Sequence, residues 1–368
     1  MTRKALLVCE TRYVLLNSLI LAGTELADDD VDIALTDRTE WGGDAITTLE
    51  NSGLFRSVIQ LPMDEINTSA PLWSDDERRA HEKSPGEFFA DVGFANDYTD
   101  MWVNLTNMAN QLLWAYLVET SGKEPIVHFI EEGTASYTLR PFDDPTLIGS
   151  WPMRRRFIAN MSDVWLVNTK MWSGSGRIPL RPRQLDSGII KDEAFSALLA
   201  NIFTASRIPD ERYIFFEECY LANKHTVNDL ETLELFADIV GRVNIRVRLH
   251  PRTKTDRFTP LGYKVAPQDG SMWELACLSQ DLSSKTLVTV KSSAVFSTLT
   301  VAEKPPKVVV LRDMVEGYFP NKKAEELSDY LKHIQHSLGD EETVLYAPRS
   351  AEELEVIAHR LAKRGGRL

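Results

Sequence analysis

The sequence is poor in cysteine, with only three in 368 residues. They are Cys9, Cys219 and Cys277, which are far apart and form no CxxC pair. An odd number of isolated cysteines argues against both a disulfide framework and a cysteine-based zinc site. The simplest expectation is therefore a reducing, cytoplasmic setting.

Long apolar runs are also missing, because no stretch reaches the length of a membrane-spanning helix. The first residues have neither the apolar core nor the cleavage site of a signal peptide, so we expect no secretion signal. The last predicted helix is basic and carries Arg360, Lys363, Arg364 and Arg367. These side chains are typical of cations at a helix C-terminus, and they are also compatible with contact to anionic lipid at the inner face of the cell membrane.

Positive charge is in the minority, since 41 Lys and Arg residues face 54 Asp and Glu residues and the net charge is -13. A chain this acidic repels phosphate backbones, which argues against nucleic acid as a partner. Hydrophobic residues make up 43% and charged residues 26%, as in soluble globular enzymes. An anionic ligand would need a local site that overcomes the overall field.

The chain lacks a recognisable metal or dinucleotide motif. The acidic runs at residues 28–30 and 143–144 lie in predicted turns rather than after strands, which favours solvated side chains. Gly174-Ser175-Gly176 has no strand and helix around it, so it is not a phosphate-binding loop. We therefore expect neither a metal nor a cofactor.

Strand and helix patterns alternate twice along the chain, with a break rich in glycine and proline at residues 172–192. The predicted strands are 5–8, 31–35, 58–61, 126–130 and 164–167 before the break, and 213–216, 244–249, 287–290 and 307–311 after it. Residues 62–100 predict an irregular insertion, and residues 101–119 predict a helix.

The double alternation predicts an α/β protein with two doubly wound, Rossmann-like domains facing across a cleft. We place the first domain at residues 1–180 and the second at 181–348. The final segment, 349–368, is expected to cross back as a helix. Ligands of such sheets bind beyond the carboxyl ends of the strands, so polar residues at these ends are the candidates for a site.

An acidic pair, Glu131-Glu132, and Gly133 follow the predicted strand 126–130. Adjacent carboxylates repel each other, so one of them is expected to have a raised pKa and to serve as a general base. Glycine lets the backbone turn and a ligand approach. The alternative is two solvated acids before a turn.

A histidine, His250, follows the strand 244–249 and is succeeded by Pro251 and Arg252. Its imidazole could donate a hydrogen bond to a phosphate or protonate a leaving group. Proline fixes the exit of the loop, and the arginine adds positive charge. The alternative is a histidine that is packed or capped at the strand end.

Two serines, Ser292 and Ser293, follow Lys291 between the strand 287–290 and a helix. Hydroxyls beside the free N–H groups of a helix N-terminus form an anion site. The alternative is ordinary capping of the helix.

In this order, the three motifs resemble those of the bacterial sialyltransferases, which have an acidic-acidic-Gly motif, an His-Pro motif and a Ser-Ser motif. The lipooligosaccharide sialyltransferases and the capsule polysialyltransferases are the most similar in layout. The opening turn, residues 11–17, is also similar, although those families have Pro or Gln near positions 12 and 13, where this chain has Arg12 and Tyr13. The resemblance implies the GT-B fold and inverting, metal-independent transfer from CMP-sialic acid.

The resemblance also implies roles for individual residues. Glu131 matches the general base that acts on the acceptor hydroxyl, with Glu132 as the second acid. His250 matches the general acid that contacts the CMP phosphate, and Ser292 and Ser293 match the phosphate-binding hydroxyls. Glu274 is similar to the acid that holds the ribose hydroxyls of CMP, although first-turn acids also stabilise helices.

The partners implied are a CMP-sugar donor and a glycan acceptor, either a galactoside or a sialoside of a bacterial surface glycan. Three other functions stay open at this point. One is transfer of another CMP-activated acid sugar such as Kdo, and another is a nucleotide-sugar epimerase or hydrolase. A glycan-binding protein without activity is the third, and it would need neither an acid pair nor an imidazole.

Overall fold

The protein is described by a computed structural model. It covers residues 2–95, 97–137, 152–174, 180–204, 207–218, 220, 227–315, 321–337 and 344–363. The chain divides into two compact units, Met1–Phe203 and Thr204–Leu368. Each unit contains one parallel sheet with helices, which confirms the predicted α/β class.

The sheet of the first unit has seven described strands in the order β3-β2-β1-β4-β5-β6-β7, and all neighbours are parallel. The strands are β1 (Lys4–Cys9), β2 (Asp30–Thr36), β3 (Ser57–Leu61), β4 (Asp100–Val103), β5 (Ile126–Ile130), β6 (Met161–Leu166) and β7 (Arg181–Gln184). The central strands are almost continuously apolar and buried, because helices cover both faces of such sheets. The strand order reverses between β1 and β4, which makes this the switch point of the sheet.

The described helices of the first unit connect these strands. They are α1 (Arg12–Gly23), α2 (Gly43–Glu50), α3 (Asp64–Ser69), α4 (Asp75–Lys83), α5 (Gly86–Phe89), α6 (Met108–Ser121), α7 (Pro152–Ala159) and α8 (Glu193–Ile202). The N-terminus of α1 is fixed by Thr11, whose hydroxyl accepts a hydrogen bond from the Val14 N–H at 3.2 Å.

The strand β4 is not predicted by the sequence, since the helical pattern extends over all of residues 101–119. Asp100–Val103 pairs with β1 on one side and β5 on the other, and the helix α6 begins only at Met108. Asn107 caps α6 by accepting a hydrogen bond from the Asn110 N–H at 2.9 Å. The prediction was wrong because the apolar residues of the strand run on into the helical pattern without a proline or glycine between them.

The insertion predicted as irregular contains the short helices α3, α4 and α5. The helix α4 begins with a capping box, in which Ser74 and Glu77 satisfy each other's backbone N–H groups. The sequence pattern does not indicate such helices, because their residues are mostly polar and their few apolar residues do not recur at helical spacing.

The boundary between the two units lies about twenty residues beyond the predicted position of 180/181. Residues 181–184 form β7, which pairs with β6 at the edge of the first sheet. The helix α8 also belongs to the first unit, where Phe195 and Leu199 are buried. The break rich in glycine and proline, at residues 172–192, therefore contains β7, the last strand of the first unit; residues 175–179 lie outside the described ranges.

The sheet of the second unit has six described strands in the order β10-β9-β8-β11-β12-β13, again all parallel. The strands are β8 (Tyr213–Phe216), β9 (Ile245–Arg248), β10 (Lys264–Val265), β11 (Thr286–Thr289), β12 (Lys307–Val310) and β13 (Leu345–Tyr346). The described helices are α9 (Asp229–Val240), α10 (Trp273–Ser279), α11 (Ser293–Val301), α12 (Asn321–Ser337) and α13 (Ala351–Lys363). The strand order reverses between β8 and β11, which is the switch point of this sheet.

The last helix, α13, was expected to cross back to the first domain. Its buried residues Leu354, Ala358 and Leu361 instead belong to the core of the second unit, together with Phe236 of α9. The guanidinium of Arg212 also donates hydrogen bonds to the carbonyls of Leu361 and Ala362. The apolar stripe of α13 is therefore used within the second unit.

In the described ranges, none of the helices is long and apolar enough to cross a membrane. Arg364 and Arg367 of the basic C-terminal segment lie outside these ranges. Contact of this segment with anionic lipid stays a prediction.

The start of β8 carries an ionic cluster that predicts how stability depends on pH. Burial raises the pKa of Glu211, but hydrogen bonds from Arg246 and Lys264 outweigh this effect and lower the pKa to about 2. Because the pKa of Glu211 is lower in the folded protein, its carboxylate stabilises the fold at pH values above the ordinary glutamate pKa of about 4.3. This contribution disappears as the pH falls towards the folded-state pKa. We expect Glu211→Gln to lower the free energy of unfolding at pH 7 and to have less effect near pH 2.

Urea unfolding of wild type and Glu211→Gln at pH 7, 4.5 and 3 measures this difference. A gap between the two proteins that is constant over this range would contradict the ionic contribution.

Candidate active site

The carboxylate of Glu131 is completely buried at the end of β5. Its Oε1 accepts a hydrogen bond of 2.6 Å from the Tyr13 hydroxyl, and its Oε2 accepts one of 2.6 Å from the Tyr137 hydroxyl. The Val167 N–H donates a third, at 2.8 Å. Both oxygens are therefore occupied by donors of the protein itself.

Two elements beyond the strand hold Glu131 in this position. Tyr13 lies on α1, and Asn17 of the same helix donates from Nδ2 to the Glu131 carbonyl at 3.0 Å. Tyr137 also accepts a hydrogen bond from the Asn168 N–H, beyond β6, at 3.2 Å. Glu131 thus links α1, β5 and the end of β6.

Glu132 is only half-buried, and its surroundings favour the protonated form. Burial raises the pKa of its carboxyl, and repulsion by the Glu10 carboxylate adds to this, while the Asn104 amide and the Arg38 guanidinium act in the opposite direction. Among the described residues, the fully buried Asn104 amide makes no hydrogen bond of normal geometry. Glu132 is therefore the more accessible acid of the pair, and its pKa is raised.

The turn after the acid pair depends on Gly133. Its φ is 143°, which is a conformation that residues with a side chain rarely adopt. The Glu132 N–H donates to the Ser136 hydroxyl at 2.9 Å and closes the turn. The glycine therefore allows the chain to turn directly after the acid pair.

A third acid, Glu10, lies at the switch point of the first sheet and was not predicted as part of a site. It directly follows β1 and is completely buried. Its carboxylate accepts hydrogen bonds of 2.9 Å from Arg38, Asn107 and Asn110. The signal in the sequence is an acid that follows a buried strand, as for Glu131.

In the second unit, His250 follows β9 with its ring oriented by the backbone. Its Nδ1 accepts a hydrogen bond from the Arg252 N–H at 3.1 Å, so the neutral ring carries its hydrogen on Nε2. Burial, and secondarily the Arg252 guanidinium, lowers the pKa of His250. At neutral pH the ring is therefore a neutral donor, and Pro251 and Arg252 form the exposed turn beside it.

Ser292 and Ser293 stand at the N-terminus of α11, directly after β11. The Ser292 N–H donates to the Thr289 hydroxyl at 2.8 Å, which fixes the turn from strand to helix. Ser292 is 9% exposed, and Ser293 is exposed. The ammonium of the adjacent Lys291 lies 5.9 Å from the centre of the Tyr220 ring. The arrangement combines hydroxyls, a cation and a helix N-terminus.

A second acid pair, Glu217-Glu218, follows β8 and is not among the predicted site residues. Burial raises the pKa of Glu218 to about 7; Lys291 lowers it and Glu217 raises it. Glu217 is 3% exposed, and its carboxylate accepts hydrogen bonds from the residues that follow β9. The pair occupies the switch point of the second sheet.

Glu274 lies in the first turn of α10, beside the last residue of β9. Burial raises the pKa of its carboxyl, and the guanidinium of Arg248 opposes this rise. Arg248 donates to the Ser271 carbonyl at 3.0 Å and lies 5.4 Å from the centre of the Trp273 ring. Glu274 therefore has a cationic neighbour within the second unit.

The structure brings the predicted residues of the second unit together at one edge of its sheet. β8 pairs with β9 on one side and with β11 on the other, so His250 and Lys291 follow strands that flank β8. The charges of Lys291 and Arg252 both act on Glu218 between them. This edge therefore combines an imidazole, two cations and two acidic side chains.

Within the described residues, no three His, Cys, Asp or Glu side chains are arranged to hold a metal ion. The acidic run at 143–144 lies outside these residues. Metal independence stays a prediction.

Neither a known protein family nor a curated protein matches the sequence, but solved structures match the fold. The α/β-galactoside α-2,3-sialyltransferase of Photobacterium phosphoreum has a TM-score of 0.53 and 11% identity, covering 94% of this chain and 98% of that chain. Arabidopsis thaliana UGT89C1 complexed with UDP-L-rhamnose has a TM-score of 0.54 and 9% identity, covering 99% and 91%. LpCGTa in complex with UDP has a TM-score of 0.50 and 11% identity, covering 98% and 91%.

At these identities, the likeness establishes the fold. The chain has two parallel-sheet α/β domains of the GT-B type found in glycosyltransferases, which confirms the predicted fold class.

Proposed function

We propose that this protein is a glycosyltransferase that moves sialic acid from CMP-sialic acid to a galactoside or sialoside of a bacterial surface glycan, with inversion and without a metal ion. The observation that carries the proposal is the grouping of His250, Lys291 and Ser292 around the switch point of the second sheet, on a GT-B fold. The Photobacterium protein, a sialyltransferase of the same fold, supports it.

In this proposal the second unit binds the donor. Ser292, Ser293 and the N-terminus of α11 receive the CMP phosphate, and the Nε2–H of His250 donates to it. Lys291 and Arg252 supply local positive charge in a chain whose net charge is -13. Glu274 accepts hydrogen bonds from the ribose hydroxyls.

The first unit binds the acceptor, and Glu132 is the general base. We favour Glu132 over Glu131, which the sequence predicts, because the oxygens of Glu131 already accept three hydrogen bonds in the interior. The raised pKa of Glu132 also brings its basicity closer to the operating pH.

The reaction then proceeds as a single displacement. Glu132 takes the proton of the acceptor hydroxyl while the hydroxyl oxygen forms a bond to the anomeric carbon. The bond from that carbon to the phosphate oxygen breaks, and CMP leaves with the electron pair. The hydroxyls, the helix N-terminus and His250 stabilise the charge that develops on the phosphate. His250 transfers a proton to the leaving phosphate only as imidazolium, which it becomes by taking a proton from solvent once the phosphate anion of the bound donor has raised its pKa.

The phosphate assignment predicts the behaviour of a double variant, Ser292→Ala/Ser293→Ala. We expect its CMP affinity to fall at least about tenfold, because a hydrogen bond to a charged group contributes about 1.5–3 kcal/mol. Titration calorimetry with CMP measures the change. EDTA should leave the wild-type affinity unaltered, and a loss of binding in EDTA would contradict metal independence.

Ser350→Ala is the matched control for this experiment. Ser350 also stands at a helix N-terminus of the second unit, where its hydroxyl accepts a hydrogen bond from the Glu353 N–H at 3.3 Å. It should keep wild-type CMP affinity. Equal affinities of the double variant and this control would remove the phosphate assignment.

A UDP-sugar transferase is the second candidate function, because two of the similar structures contain UDP or a UDP-sugar. A donor screen that follows release of CMP, UDP or GDP from a panel of nucleotide sugars separates the two. Release of CMP in the presence of a galactoside supports the proposal. Release from CMP-Kdo alone would assign another acid sugar, release without an acceptor would indicate a hydrolase or epimerase, and release of UDP would support the second candidate.

A further inference from the structure

The residues His250 to Thr253, which are separated from β9 by Leu249, form a tight turn in which the Thr253 N–H donates to the His250 carbonyl at 2.8 Å. The amide of Gln268 also donates to this carbonyl, at 3.1 Å. The His250 ring is oriented within the turn, because its Nδ1 accepts the Arg252 N–H. The direction of the Nε2–H therefore depends on the conformation of the turn.

Glu217 reaches this turn from the end of the neighbouring strand β8. Its Oε2 accepts hydrogen bonds from the His250 N–H at 3.2 Å and from the Thr253 hydroxyl at 2.7 Å. The Glu217 N–H donates to the carbonyl of Arg248 at 3.0 Å, which continues the pairing of the two strands. One carboxylate thus contacts the first and the last residue of the turn.

The other oxygen of Glu217 is joined to a buried ion cluster. Its Oε1 lies 3.4 Å from Nε of Arg257, and the same guanidinium forms a two-pronged pair with Asp229 at the start of α9, with one N···O distance of 2.9 Å. Asp229 is fully buried. The chain after β9 is therefore fixed to both β8 and α9.

We infer that Glu217 is a positioning residue, which holds the His250–Thr253 turn and so directs the Nε2–H of His250, without itself contacting the donor. The role in catalysis rests on the function proposed above. Glu217 is 3% exposed and its carboxylate serves three donors, so it has little capacity to bind substrate. The neighbouring Glu218 is the half-buried member of the pair.

The test compares Glu217→Gln with Glu211→Gln. Both glutamates flank β8, one at each end, and both accept hydrogen bonds from arginine side chains, but only Glu217 contacts the His250 turn. Thr253→Val is a milder second variant, which removes the 2.7 Å hydrogen bond and retains the ion cluster. It keeps the experiment decisive should Glu217→Gln fail to fold.

The first measurement is the ¹⁵N NMR spectrum of the histidine rings, in which His250→Ala identifies the His250 signals among seven histidines. We expect wild type and Glu211→Gln to show the tautomer with hydrogen on Nε2. Glu217→Gln and Thr253→Val should shift these signals and mix the tautomers. Unchanged His250 signals in both variants would overturn the inference.

The second measurement is kcat/KM with CMP-sialic acid. Small misplacements of a catalytic group cost up to about 10²-fold, so we expect a loss of about 10- to 100-fold in Glu217→Gln and none in Glu211→Gln. Equal kcat/KM values of Glu217→Gln and Glu211→Gln would contradict a positioning role of Glu217 in sialic acid transfer. If wild type transfers no sialic acid, the proposed function fails, and the ring signals still decide whether Glu217 positions His250.

Discussion

Replacing Glu132 with glutamine is expected to lower kcat about 10²- to 10⁴-fold and to leave CMP affinity unchanged. Glutamine keeps the shape of the side chain but cannot take the proton of the acceptor hydroxyl, and loss of a general base typically has this magnitude. CMP affinity is preserved because the proposed donor residues belong to the second unit. Steady-state kinetics with a galactoside acceptor, together with calorimetry for CMP, measure both quantities.

The pH dependence of kcat/KM tests the proposed role of Glu132 independently. A general base acts when deprotonated, so kcat/KM should rise with pH through the pKa of Glu132. Burial, followed by repulsion from Glu10, places this pKa above the ordinary glutamate value. The rise should be absent in Glu132→Gln.

Glu131→Gln is the matched control, because it changes the adjacent acid in the same way. The glutamine cannot accept from Tyr13, Tyr137 and Val167 as the carboxylate does. Leaving a buried donor unsatisfied costs about 1–3 kcal/mol, so we expect lower stability and near-normal turnover of the folded enzyme. Loss of turnover at unchanged stability would return the role of base to Glu131, and normal turnover in both variants would reject the mechanism.

Replacing His250 with alanine is expected to lower kcat/KM about 10²- to 10⁴-fold and, unlike Glu132→Gln, to weaken CMP binding as well. The imidazole has two proposed roles at the phosphate: it donates a hydrogen bond to it, and as imidazolium it transfers a proton to it. Burial keeps the pKa of His250 low in the free protein. CMP should raise it, because the phosphate anion favours imidazolium.

His250→Gln separates the two roles. Its amide retains a donor near the position of Nε2 but cannot transfer a proton at neutral pH. We expect nearly wild-type CMP affinity with turnover as low as in the alanine variant. Full turnover in His250→Gln would show that His250 contributes to CMP binding and not to proton transfer. Unchanged CMP affinity in His250→Ala would show that His250 does not contact the phosphate.

Several features of the fold could be predicted because they depend on local sequence. The strands β1, β5 and β11 are short apolar runs bounded by polar residues, and such runs predict buried parallel strands. β4 could not be separated from α6 in this way. Its identity as a strand depends on pairing with β1 and β5, which lie far from it in the sequence.

The site residues, like the strands, include some that the local sequence predicts and some that it does not. Glu131, His250 and Ser292 follow strands that the sequence identifies, so their location at the sheet edges could be predicted. Glu10 and Glu217 occupy equivalent positions and were missed, since an acid after a strand is unremarkable until the strand order is known. That order places the two residues at the switch points of their sheets.

The sequence by itself determined the two α/β units and the strand ends that carry polar residues, because hydrophobic periodicity and turn residues act locally. Only the tertiary structure decided which acid of Glu131-Glu132 is buried. Tyr13, Tyr137 and Val167 come from three different parts of the chain and meet at Glu131, while the turn at Gly133 leaves Glu132 half-buried. The properties of a carboxyl group depend on burial and on hydrogen-bond donors, and residues distant in sequence provide both.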